Sequence, residues 1–384
     1  MRTYIKFSAT AAMALAAPAF AQVPVIDGTA DAVYGSAVAV QGIQTQFGNS
    51  NLGQQLFANG SELNGAFALV SNGILYLTFA GNLESNFNKL EIFFDTTAGG
   101  QNRLRGDNID VDFNGLNRMG DDGAGNGLRF DAGFEADHFI TVTGGDTGGG
   151  NFQLFSNYAS LPTAGGGTGG FLGGSVAGTG FLAGNFGINI GLNNSNTAGV
   201  EGGTNAGSGE GVRTGVEIEI PLSLLSSPTG NFRISAFING GGHDFLSNQV
   251  LGGAPAGTGN FGEPRNVDFS AVAGDQFFTV VQTPSLLKGD FNFDGEVLDS
   301  DISLFVSALT GDFASLVAQF PTRTEADFTF IGDFNSDGEV LDSDITGFVA
   351  ALLGGGGRVA AIPEPAALGL LAPLGLLLGR RRRA

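Results

Sequence analysis

The chain has 384 residues, 42% of them apolar, which is enough to fill one large or two ordinary cores and excludes a wholly disordered chain. Its 37 acidic against 17 basic side chains give a formal net charge of -20, which excludes nucleic acid as a partner and favours divalent cations. With no cysteine there is no disulfide or thiol chemistry, and 65 glycines with 34 phenylalanines and no tryptophan point to a turn-rich β architecture packed on phenylalanine.

Residues 1–21 combine basic Arg2 and Lys6, an alanine-rich apolar stretch and small residues at Ala19 and Ala21. That order predicts a signal peptide, with Gln22 as the mature start. Residues 22–283 read as β throughout. "GILYLTFAG" and "KLEIFFD" are strands divided by glycine and asparagine turns. "GVEIEIPL" puts Val216, Ile218, Ile220 and Leu222 on one face and Glu217 and Glu219 on the other, and "NFRISAFING" alternates likewise. The pattern predicts a large antiparallel β-sandwich of jelly-roll type. Between Gly144 and Gly211 glycine is so frequent that long loops are expected rather than regular strands.

"VPVIDGTADAVYGSAVAV" at the start of this region resembles the opening of the family 9 carbohydrate-binding and DOMON-like sandwiches, and "GVEIEIPLSLL" resembles their late strand. The resemblance implies a β-sandwich acting outside the cell and, less directly, binding to extracellular polysaccharide. Those modules grip sugars between aromatic rings, often tryptophans. Here Tyr34, Tyr76, Tyr158 or phenylalanines would have to serve, although most phenylalanine at alternating spacing is core.

"DVDFNGLNRMGD" contains a loop grammar suited to calcium, with Asp110, Asp112, Asn114 and a closing acid at Asp121 around Gly115. A strand-like stretch follows it rather than a helix. An acidic surface turn is the plainer reading.

"GDFNFDGEVLDSDI" from Gly289 recurs as "GDFNSDGEVLDSDI" from Gly332, 43 residues later. Counted from its first aspartate, the first copy places Asp290, Asn292 and Asp294 at positions 1, 3 and 5. Gly295 stands at 6, the Glu296 carbonyl at 7 and Asp301 at 12. The second copy places Asp333, Asn335, Asp337, Gly338, Glu339 and Asp344 in the same order. A hard cation such as Ca²⁺ takes six to eight oxygens, and this spacing turns side-chain and carbonyl oxygens to one point around a glycine turn. Leu298 and Leu341 stand at position 9, where water can coordinate directly. After each loop Ile302, Phe305, Val306 and Leu309 repeat as Ile345, Phe348, Val349 and Leu352, an apolar stripe at helical spacing.

Residues 288–355 thus resemble the dockerin type I module. The resemblance implies a small α-helical pair folded around two calcium ions, with docking to a cohesin-like domain as a further possibility. Stapling of a small domain without any partner is the plainer alternative.

Residues 361–384 carry Pro363, Glu364 and Pro365, about fourteen mostly apolar residues and four arginines, Arg380 to Arg383. The apolar stretch is shorter than the roughly 20 residues of an ordinary spanning helix. The segment resembles the PEP-CTERM sorting signal, which implies a short transmembrane helix at the C-terminus, an exosortase-type processing enzyme as partner and delivery to the bacterial cell surface or extracellular matrix.

Nothing in the chain frames a catalytic centre. His138 and His243 are too few for a histidine metal site or a triad, and Ser175 lacks the spacing of a nucleophile elbow. Carboxylate pairs drawn from Asp107, Asp110, Glu217 and Glu219 are not distinguishable from calcium ligands or a solvated strand face. The expectation is a secreted, surface-sorted, non-catalytic calcium-binding protein with a β-sandwich for binding or display. The alternatives are a polysaccharide-degrading glycoside hydrolase or cellulosome-like component carrying a dockerin, and a structural extracellular-matrix protein.

Overall fold

A computed structural model describes residues 23–202, 207–282, 286–321 and 323–354, so the expected signal peptide and the 361–384 sorting segment lie outside the described residues. The chain divides into two units, Met1–Gln282 and Thr283–Ala384.

The first unit is mainly β. Its strands are β1 (Ala39–Val40), β2 (Glu62–Ser71), β3 (Ile74–Asn82), β4 (Asn86–Asp95), β5 (His138–Asp146), β6 (Phe152–Ser160), β7 (Gly169–Gly174), β8 (Phe181–Ala183), β9 (Asn189–Leu192), β10 (Gly215–Pro221), β11 (Phe232–Asn239), β12 (Leu246–Leu251) and β13 (Phe278–Val280). They form two antiparallel sheets, β1-β2-β3-β10-β9-β8 and β12-β11-β4-β5-β6-β7, with β13 on β11.

Alternation explains the layering. Leu77, Phe79, Ile218 and Ile220 of the first sheet share one buried core with Ile92, Phe94, Ile140 and Ile234 of the second. The intervening residues of the second sheet point the other way, where residues 96–137 cover them. Phe93 packs there against Phe130, Phe139 and Phe237. The second sheet is therefore buried on both faces over much of its area. That accounts for the abundance of phenylalanine.

The glycine-rich stretch 144–211 departs from expectation, because β6, β7, β8 and β9 lie within it. β7 is written "GGFLGG" and still pairs with β6 from Phe155↔Gly174 to Ala159↔Gly169. Tertiary pairing overrides the low strand propensity of glycine there.

The second unit is helical: α1 (Asp299–Leu309), α2 (Phe313–Gln319), α3 (Glu325–Gly332) and α4 (Ile345–Leu353). Phe291, Phe305, Phe328 and Phe348 anchor its core. Among the described residues no helix is long and apolar enough to cross a membrane.

Candidate calcium loops and a buried charge cluster

The two repeated loops fold identically down to single hydrogen bonds. Asp290 accepts from the amides of Asp294 and Gly295 at 3.1 and 2.9 Å, and Asp333 accepts from Asp337 and Gly338 at the same distances. Asp301 takes three amides, from Phe291, Asn292 and Leu298 at 2.7, 3.0 and 2.9 Å. Asp344 takes those of Phe334, Asn335 and Leu341 at 2.7, 3.1 and 2.9 Å. Asn292 and Asn335 each bond the next aspartate, Asp294 or Asp337, at 2.8 Å. Gly295 and Gly338 have φ of 90° and 94°, the left-handed turn that position 6 requires.

This geometry buries charge. Asp290, Asp301, Asp333 and Asp344 are all buried, and among the described residues none of them enters an ion pair. Amide donors satisfy their lone pairs but do not cancel their charge. Burial raises the Asp290 carboxyl above its ordinary range, and repulsion from Asp301 and Asp294 adds to the shift against the amide of Gly295. Lys288 donates to the Asp333 carbonyl and its ammonium offsets part of the second loop's charge at Asp333 and Asp344, whereas among the described residues the first loop has no such cation, and a buried carboxylate left uncompensated costs several kcal/mol. An oxygen-seeking dication would supply the missing charge, and the donor sets Asp290, Asn292, Asp294, Asp301 with the Glu296 carbonyl and Asp333, Asn335, Asp337, Asp344 with the Glu339 carbonyl have the chemistry that suits Ca²⁺. The side chains of Glu296 and Glu339 are exposed, which leaves their backbone oxygens as the expected donors. Among the described residues no three His, Cys, Asp or Glu side chains form a metal cage by themselves. The fit rests on asparagine and carbonyl oxygens as well as carboxylates.

The helical stripes divide in two. Phe305 and Phe348 are buried, whereas Ile302, Val306, Ile345 and Val349 stay 43%, 49%, 40% and 43% exposed. Leu298 and Leu341 are exposed beside them. Both copies therefore present the same leucine, isoleucine and valine to solvent.

The loop at 110–121 is arranged differently. Asp112 does not join Asp110, Asn114 and Asp121 around one point. Its Oδ2 lies 2.7 Å from Lys89 Nζ, and its Oδ1 accepts from the Phe113 amide. Asp110 accepts from the Asn117 amide, and Asp121 accepts from the amides of Gly123 and Gly125. These residues as placed do not fit a cation, because Lys89 already neutralises the central carboxylate.

The Lys89 and Asp112 pair belongs to a cluster that spacing alone does not reveal. His243 Nδ1 bonds Glu91 Oε1 at 2.7 Å, and its Nε2 lies 3.3 Å from Asp112 Oδ2 without hydrogen-bond alignment. All four side chains are buried. Burial opposes charge on His243, but Glu91 and Asp112 outweigh it and raise its pKa to about 9. For Asp112 burial is likewise outweighed, by His243 and Lys89, and its pKa falls to about 2. The cluster thus sets Lys89 and His243 against Glu91 and Asp112.

The opening "IDG…Y" motif has a structural task. Glu217 Oε2 accepts from the amides of Asp27 and Gly28 at 2.9 and 3.0 Å, and Tyr34 donates its hydroxyl to Oε1 at 2.8 Å. A Cβ on Gly28 would stand 2.3 Å from the Asn193 nitrogen. Tyr34, Tyr76 and Tyr158 are all buried, so none of them offers a sugar platform. His138 is also buried, between Tyr158 and Ser226, and burial lowers its pKa to about 4.

The chain matches no family model, no curated protein and no solved structure.

Proposed function

We propose that this is an extracellular, surface-sorted, non-catalytic binding protein, in which a calcium-organised loop-helix pair accompanies a β-sandwich that binds extracellular polysaccharide. The observation that carries the reading is the repeated set of buried, unpaired carboxylates at Asp290, Asp301, Asp333 and Asp344. Two loops that bury negative charge in the same hydrogen-bond frame favour a unit that requires a dication to fold. The likeness to dockerin type I supports the same reading. The paired exposed residues Leu298, Ile302 and Val306 and Leu341, Ile345 and Val349 supply matching faces for a cohesin-like partner. The terminal segments, read from sequence, supply export, exosortase-type processing and delivery to the cell surface or extracellular matrix.

Circular dichroism of the full chain tests the calcium reading. Chelation should remove the helical signal contributed by α1 to α4, and added Ca²⁺ should restore it. A helical signal indifferent to chelator contradicts it.

A further inference from the structure

An open cleft of about 720 Å³ lies on the outer face of the second sheet, and four phenylalanines, Phe87, Phe113, Phe155 and Phe171, line it. Its size is that of a small-ligand site. Phe113 and Phe171 are 74% and 55% exposed, an arrangement unlike the buried phenylalanines of the two cores.

The backbone is bent to hold these rings in place. Phe87 sits in a β-bulge with φ of 71°, and a Cβ on Gly145 would come within 2.8 Å of its ring. Phe113 stands between Asp112 and Asn114, whose φ values are 74° and 61°. Aspartate and asparagine take left-handed backbone readily, so the unusual position among these is Phe87.

The floor of the cleft holds unused polar groups. Lys89 carries three ammonium protons and is 2% exposed, yet among the described residues its only hydrogen-bond acceptor is Asp112. Asn157, on β6 two strands from Lys89, also lines the cleft, and its side-chain amide makes no hydrogen bond among the described residues. Both side chains line the cleft. A ligand that seats there must offer acceptors and donors at the floor and an apolar face to the rings.

Charge narrows the class further. Lys89 is balanced by Asp112 and His243 by Glu91, so the floor has no surplus positive charge for an acid. The chain's net charge of -20 repels polyanions. A purely apolar chain would leave the Lys89 and Asn157 donors unpaired in a desolvated floor, which is unfavourable. A neutral sugar ring has apolar C–H faces and hydroxyl edges, and meets both demands.

We propose that this cleft binds a neutral pyranose unit, with one sugar face against phenylalanine and its hydroxyls bonded to Lys89 and Asn157. The assignment rests on the reading of the β unit as a polysaccharide-binding domain.

Isothermal titration of the full chain with cellohexaose, maltohexaose, mannohexaose and xylohexaose, and with trigalacturonate as the acidic probe, tests it. At least one neutral hexasaccharide should bind and trigalacturonate should not. Phe113→Ala and Phe171→Ala, at exposed positions where folding is unaffected, should each weaken binding about tenfold, the loss of one stacked ring. Asn157→Ala should weaken it too, while Phe186→Ala, outside the cleft lining, should leave it unchanged. If a neutral hexasaccharide binds and both phenylalanine variants keep wild-type affinity, the cleft assignment is overturned and the polysaccharide reading stands. If only trigalacturonate binds, the chemistry assigned to the floor is overturned. If no saccharide binds, both the cleft assignment and the polysaccharide reading fall.

Discussion

The rings of Phe305 and Phe348 stack with 4.0 Å between centroids and 21° between planes, joining the two copies of the repeated loop-helix through the same residue of each. Phe291 meets both rings edge-on. The duplication is thus a packing arrangement as well as a repetition of ligands: each loop ends in a helix whose buried ring is completed by the other copy.

Removing one ring should undo that arrangement. Phe305→Ala or Phe348→Ala should destabilise the second unit by about 3–5 kcal/mol, the range for a buried phenylalanine. The loss is measurable as a lowered thermal midpoint of the helical signal in saturating Ca²⁺. Ile302→Ala or Val349→Ala, at exposed positions of the same stripes, should shift that midpoint far less.

How much of this was legible depended on sequence distance. Period two in "GVEIEIPL" located a strand and its buried face correctly at Ile218 and Ile220, because alternation is a local property. The same alternation put Glu217 on a solvated face, whereas it is buried by a segment 183 residues away in sequence, through Tyr34. The helical stripes showed period but not which half was covered, since Phe305 and Ile302 are equally apolar. At 110–121 the spacing of acids suggested calcium, and the deciding partner, Lys89, lies 23 residues upstream. Phe87 and Phe171 could not be told from core phenylalanine, because their exposure depends on where the cover of the second sheet ends.

The clamp on Glu217 predicts a specific cost. Tyr34→Phe removes one donor from a buried carboxylate and should destabilise the first unit by about 1–3 kcal/mol. Glu217→Ala, which leaves the Asp27 and Gly28 amides and the Tyr34 hydroxyl without their acceptor, should cost more. Thermal unfolding of the full chain, followed by near-ultraviolet signal, measures both.

His243 predicts an alkaline limb in stability. Its pKa is about 9 in the folded chain against an ordinary 6.5, so its contribution is fully present below pH 6.5 and is lost as pH rises from there through about 9. The loss should be on the order of 3 kcal/mol for a shift of this size. His243→Gln should flatten the slope of the thermal midpoint between pH 6.5 and 9.5. An unchanged slope would contradict the charged cluster.

The 110–121 loop separates the two calcium readings. Asp112→Asn breaks the buried pair with Lys89 and should destabilise the first unit by about 3 kcal/mol, equally with Ca²⁺ and with chelator. A destabilisation seen only in Ca²⁺ would show that this aspartate holds a cation after all.

Calcium binding is assigned to the two repeated loops and to no other part of the chain. Titration of Ca²⁺ into the chelator-treated full chain by calorimetry tests it most directly. Two ions per chain should bind, with one lost in Asp301→Ala and one in Asp344→Ala, and both retained in Asp110→Ala. A chain that takes up no Ca²⁺, or one that keeps its full uptake in both Asp301→Ala and Asp344→Ala, would contradict it.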